Sequence, residues 1–130
     1  MPTTLRLILG DQLNYNHSWF NQTDDSVTYC LFEMRQETDY VPHHIQKVIG
    51  FFAAMREFAK ELKANGHQVV YYQLDDKENH QNLEKNIQQL IEKQNIETLE
   101  YQLPDEYRLD QQLKSICKDL SITTSAVDSE

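Results

Sequence analysis

The feature that most restricts the fold of this chain is a regular alternation of short apolar runs with longer runs of helical period. Thr4–Leu9, Val27–Glu33, Gln68–Leu74, Thr98–Gln102 and Ile122–Val127 are brief and rich in leucine, β-branched or aromatic residues, so each is predicted to be a strand. Between the second and third runs, Ile45, Val48, Ile49, Phe52, Met55, Ala59 and Leu62 recur at i, i+3, i+4 and i+7, which defines one buried face of a long helix. Pro42 suits the first helical position, where its missing N–H costs nothing. Gly66 stands just past the end, where a left-handed residue closes a helix. Leu83, Ile87, Leu90 and Ile91 mark a second helix, and Leu109, Leu113, Ile116, Cys117 and Leu120 a third. Strands that alternate with helices call for a parallel sheet covered on both faces. Right-handed crossovers then favour the order 3-2-1-4-5, a Rossmann-like three-layer α/β sandwich. A length of 130 residues fits one such domain.

The remaining segments read as connections. Leu13–Ser26 is a polar loop with one helical turn at His17–Phe20, and its Trp19 and Phe20 look like an isolated aromatic pair. Asp75, Asp76 and Asn79 are turn and cap residues. Tyr71 and Tyr72 must face opposite sides of their strand, one in the core and one half-exposed. Arg56, Glu57, Lys60, Glu61 and Lys63 read as the solvated face of the long helix.

The strand order says where a ligand would sit. Open α/β sheets bind ligands beyond the carboxyl ends of the strands, where the winding reverses, here between the first and fourth strands. That crevice would be lined by Gly10-Asp11-Gln12 on one side and Gln102–Tyr107 on the other, with the loop Glu33–Tyr40 next door. This loop and the helix start beyond it carry Glu33, Arg35, Glu37, Asp39, His43 and His44. Glu33, Glu37, Asp39 and the two histidines could be metal ligands, but their spacing matches no strong zinc pattern. Glu33 and Glu37 could do acid–base work, though no nucleophile accompanies them. Arg35 could simply pair with these carboxylates, and a histidine at a helix start often only caps it.

Several functional classes are disfavoured. The three glycines, Gly10, Gly50 and Gly66, form neither a dinucleotide fingerprint nor a phosphate loop. The net charge of −9 argues against direct contact with duplex DNA or an anionic membrane. Cys30 and Cys117 lie far apart in apolar contexts, which suits free thiols, and are too few for a metal cluster. The N-terminal residues lack a signal-peptide pattern and no apolar run approaches the roughly 20 residues that span a bilayer, so a cytoplasmic location is expected.

Four motifs in series carry a family resemblance. Leu-Ile-Leu-Gly-Asp-Gln-Leu (Leu7–Leu13), Tyr-Val-Pro-His-His (Tyr40–His44), Phe-Ala-Ala-Met-Arg (Phe52–Arg56) and Pro-Asp-Glu-Tyr-Arg (Pro104–Arg108) resemble, in order and spacing, photolyase-related proteins of the cryptochrome/photolyase superfamily. Their bacterial iron–sulfur branch, which includes (6-4) photolyases, is the nearest in pattern. The resemblance implies an N-terminal domain that holds an antenna chromophore, a ribityl-lumazine in that branch. It also implies a larger C-terminal domain that binds FAD, carries an iron–sulfur cluster and grips damaged DNA. Since the chain stops right after its fifth strand, it is expected to be the N-terminal domain of a longer protein, with that C-terminal domain as its partner. Alone it would not be an enzyme, whereas the parent would be a deoxyribodipyrimidine or (6-4) photolyase. By motif position, the pigment would meet Gly10, Asp11, Gln12, Glu33 and Glu37, walls from Tyr40, His44, Lys47 and Phe51, and Asp105 and Glu106 on the far side. The alternative is a non-catalytic nucleotide-binding or scaffolding module of a cryptochrome-like photoreceptor.

Overall fold

The computed structural model describes residues 3–10, 12–33, 45–104 and 107–127, without the side chains of residues 45–49 and 51. Five strands, β1 (Thr4–Leu7), β2 (Val27–Phe32), β3 (Gln68–Tyr72), β4 (Thr98–Gln102) and β5 (Thr123–Val127), form one sheet of order β3-β2-β1-β4-β5. Every pairing is parallel. Three helices accompany them: α1 (Ile45–Ala64), α2 (Leu83–Gln94) and α3 (Tyr107–Asp119). The α/β architecture and strand order are those expected from the alternation.

Period-2 alternation divides the sheet's side chains between two cores. Leu5, Leu7, Cys30, Phe32, Tyr72, Leu99 and Tyr101 face α2 and α3, where Leu83, Ile87, Leu90, Leu109, Leu113 and Ile116 meet them. Ile8, Val27, Tyr29 and Leu31 face α1, which contributes Phe52, Met55, Phe58, Ala59 and Leu62. All six residues of β2 are buried, as a strand covered on both sides requires. Tyr72 is in the core and Tyr71 half-buried. Both cysteines are free thiols, Cys30 buried and Cys117 half-buried.

Local signals end the elements. Asn82 caps α2 by accepting from the Lys85 N–H at 3.0 Å, and Asn95 closes it with φ of 52°. Asn79 is not a cap. It lies buried in the preceding loop and donates to the Glu33 and Gln73 carbonyls. Gly66 ends α1 at φ +94°, a conformation that strains any side chain. β1 ends two residues earlier than its apolar run, because Ile8 and Leu9 leave the regular ladder although the Ile8 N–H still reaches the Cys30 carbonyl.

The polar segment before β2 is tied to the core through its aromatic residues. A 3-10 turn spans Ser18–Phe20, and His17 Nδ1 accepts from the Trp19 N–H at 3.1 Å. Trp19 and Phe20 are not an isolated pair. Trp19 packs on Tyr29, while Phe20 meets Tyr29, Phe58 and His67, and Tyr15 stacks on Phe58 at 4.4 Å.

His67 begins the approach to β3, buried edge-on against Phe20 and Tyr29. Burial first, and then the Arg6 charge, depress its pKa below the ordinary 6.5. The folded protein therefore holds His67 neutral while the unfolded chain takes up a proton. Its stabilisation is complete above about pH 6.5 and is lost as pH falls through the depressed value. Thermal melts should show wild type losing about 3 °C more than His67→Phe between pH 7.5 and 5.5. Equal losses would exclude this assignment.

Candidate functional site at the carboxyl end of the sheet

The winding reverses between β1 and β4, which lie side by side with Leu7 opposite Tyr101. Just past β1, Gly10 and Gln12 are both buried. The Gln12 N–H donates to the Leu9 carbonyl at 2.9 Å, forming a tight turn. Its side-chain Oε1 accepts from the Leu9 N–H at 3.2 Å, and its Nε2 donates to the carbonyls of Gln102 at 3.1 Å and Leu103 at 3.4 Å. One carboxamide thus fastens the chain after β1 to the end of β4, at the point where the winding reverses. Beside it, Gln102 is 1% exposed, and its Nε2 is buried without a hydrogen-bond partner among the described residues. A buried donor left unpaired costs about 1–3 kcal/mol.

Glu33 sits at the carboxyl end of β2 with 0% exposure. Its Oε1 accepts from Arg56 Nη2 at 2.9 Å and from the Leu74 N–H at 3.0 Å. Its Oε2 accepts from Arg56 Nε at 2.6 Å and from the Tyr71 hydroxyl. Its backbone is held as firmly, because the Glu33 N–H donates to the Tyr72 carbonyl and the Glu33 carbonyl accepts from Asn79 Nδ2 at 2.8 Å. Burial alone would raise the carboxyl pKa, but the donors of Arg56, Tyr71 and Leu74 outweigh it and hold the group below its ordinary value. Burial and the adjacent carboxylate push the Tyr71 phenol well up, so it stays a donor. With four donors on two oxygens, Glu33 is held rigidly at the carboxyl end of β2.

Among the sequence-predicted residues, Gly10, Gln12 and Glu33 therefore lie at the carboxyl edge, Gly10 and Gln12 at the crevice and Glu33 one strand away. Asp11, Glu37, Tyr40, His44, Asp105 and Glu106 lie outside the described residues, as do Arg35, Asp39, Pro42 and His43. Lys47 and Phe51 belong to the backbone of α1, with side chains outside the description. Among the described residues, no three His, Cys, Asp or Glu side chains gather around a common point.

The interactions of three residues escaped the sequence reading. Arg56 is the partner of Glu33 rather than purely solvated surface. Gln102 is expected from sequence at the end of the fourth strand and on the crevice lining, but its unpaired amide, on the face of Glu100 and away from that of Tyr101, is not. Arg6 interrupts the apolar β1, and its Nε meets Glu100 Oε1 at 2.7 Å while its guanidinium lies 4.9 Å from the Trp19 ring centroid. The signal for that pair was present, since each strand carries one central charge of opposite sign.

Residues 6–130 match the family model described as deoxyribodipyrimidine photo-lyase-related protein. A (6-4) photolyase of Agrobacterium fabrum (strain C58) is 41% identical over 78 residues, which cover 58% of this chain and 15% of that relative. The aligned part is thus a small share of the curated relative. With a parallel sheet of order 3-2-1-4-5, a reversal point closed by Gln12 and a family match over nearly its whole length, the chain belongs to the deoxyribodipyrimidine photo-lyase-related family.

Proposed function

We propose that this chain is the light-harvesting, chromophore-binding domain of a photolyase-related flavoprotein that repairs ultraviolet-damaged DNA. The observation that carries this reading is the strand-order reversal between β1 and β4, the place where open α/β sheets bind ligands, with the two strand ends tied together by the Gln12 carboxamide. Membership of the photolyase-related family and the likeness to a (6-4) photolyase support the same direction.

When bound, a ribityl-lumazine would absorb light and pass the excitation to a flavin. The protein's task is to orient the ring and exclude quenching water. Gly10 would let the ring approach the backbone, and Asp11, Glu37, Asp105 and Glu106 would supply acceptors for ribityl hydroxyls. By motif position, Tyr40, His44, Lys47 and Phe51 would supply a wall for the ring. Glu33, its oxygens occupied by Arg56, Tyr71 and Leu74, fixes the end of β2. FAD, the iron–sulfur cluster and the grip on damaged DNA belong to a C-terminal domain of the parent protein. Two cysteines cannot supply the four thiolates of a cluster.

The test is pigment analysis of the full-length parent protein purified in the dark. Mass spectrometry of the released small molecules should find FAD and a second pigment in near-equal amounts. Glu37→Ala should lower the second pigment about tenfold and spare FAD. FAD without any second pigment would overturn the antenna reading and favour a nucleotide-binding or scaffolding module.

A further inference from the structure

Among the described residues, the buried side-chain polar atoms without a hydrogen-bond partner are Gln94 Oε1 and Gln102 Nε2. Gln94 ends α2, on the connection that leads into the amino end of β4. Gln102 ends β4, at the opposite edge of the sheet, where open α/β sheets receive ligands. Its neighbour across the reversal, Gln12, is in contrast fully committed, with its Oε1 taken by Leu9 and its Nε2 by two carbonyls of β4 and beyond. Gln12 therefore bridges the two strand ends, and Gln102 is the amide left over.

A buried donor without an acceptor lowers the stability of the free chain, and apolar residues of the same shape would remove that cost. Unpaired groups of this kind call for a physical reason, and a bound acceptor is one. The side chain leaves β4 on the face of Glu100, since Leu99 and Tyr101 point into the α2–α3 core. Glu100 is occupied by Arg6, so it does not compete for the Gln102 amide.

We infer that Gln102 is a specificity-determining residue of the pigment crevice, its Nε2 donating to a carbonyl oxygen or ring nitrogen on the edge of a flat heterocyclic ligand. This assignment rests on the chromophore reading above and names the residue that reads the ring. A ligand with an acceptor on that edge completes the bond, and one presenting a donor or a hydrocarbon edge leaves the amide unpaired. Discrimination of this kind is large because the penalty falls on the wrong ligand.

The test compares wild type, Gln102→Met and, as a matched control, Gln94→Met in the full-length parent protein, with a ribityl-lumazine as the titrated probe. Gln102→Met should bind the probe about tenfold more weakly while its ligand-free Tm stays level or rises by about 3 °C. Gln94→Met should leave binding unchanged. Unchanged binding by Gln102→Met overturns the assignment and leaves the chromophore reading intact. A ligand-free Tm several degrees below wild type would show that the amide is already satisfied, and would also overturn it. Failure of wild type to bind the probe defeats the chromophore reading and this assignment together.

Discussion

Glu33→Ala should destabilise the protein by about 3 kcal/mol, a fall in Tm of about 10 °C. The substitution strips the acceptor from the Leu74 N–H and the part-buried Tyr71 hydroxyl at once, and releases Arg56. The Arg56 side chain is 51% exposed and returns readily to water, so its share is small and the cost comes mainly from the orphaned donors. Arg56→Ala should cost less, about 2 kcal/mol, and should flatten the acid limb of the pH profile. In wild type the folded-state pKa of Glu33 lies below its ordinary value of 4.5, so its stabilisation is present above that pH and is lost as pH falls through the folded value. Without Arg56, burial is opposed only by the donors of Tyr71 and Leu74, so the folded pKa rises toward the unfolded one. The stability lost on acidification is then smaller than in wild type. Thermal or urea denaturation from pH 3.5 to 6.5 measures this directly. Parallel profiles for wild type and Arg56→Ala would remove Arg56 from the role assigned to it.

Phe58→Ala should have the largest effect in the α1 core, about 4 kcal/mol. Phe58 is 1% exposed, with Tyr15 stacked on one side and Phe20 edge-on at 5.7 Å. Its loss leaves a cavity and also removes the contact that fixes the 15–20 segment to α1. Because that segment carries the protein's single tryptophan, the change has an optical signature. Trp19 emission should shift to the red under conditions where the sheet is still folded by circular dichroism. A destabilised variant with unchanged emission would mean that Phe20 and Tyr29 hold Trp19 without help from Phe58.

The fold was readable because both of its governing signals are local and periodic. Apolar spacing of 3.6 marks α1, α2 and α3, and short runs mark all five strands, so crossover handedness leads to the observed order. The interactions that occupy the edge were harder to read because they join residues distant in the chain. Nothing near Arg56 in sequence announces Glu33, which lies 23 positions away and is brought to it by the packing of α1 on β2. Trp19 and Phe20 looked isolated for the same reason, since their partners Tyr29, Phe58 and His67 come from β2, α1 and the approach to β3. Gly10, Gln12 and Glu33 were all singled out from sequence at the correct edge. Only the hydrogen bonds separate a bridging Gln12 and an anchoring Glu33 from Gln102, whose amide is left unpaired among the described residues.

The most direct measurement is a crystal structure of the full-length parent protein with its pigments bound. The expected result is a flat heterocycle beyond the carboxyl ends of β1 and β4, with an acceptor atom within about 3 Å of Gln102 Nε2 and Glu33 still bonded to Arg56. A second pigment on another face of the sheet, with Gln102 paired to the protein or to water, would contradict it.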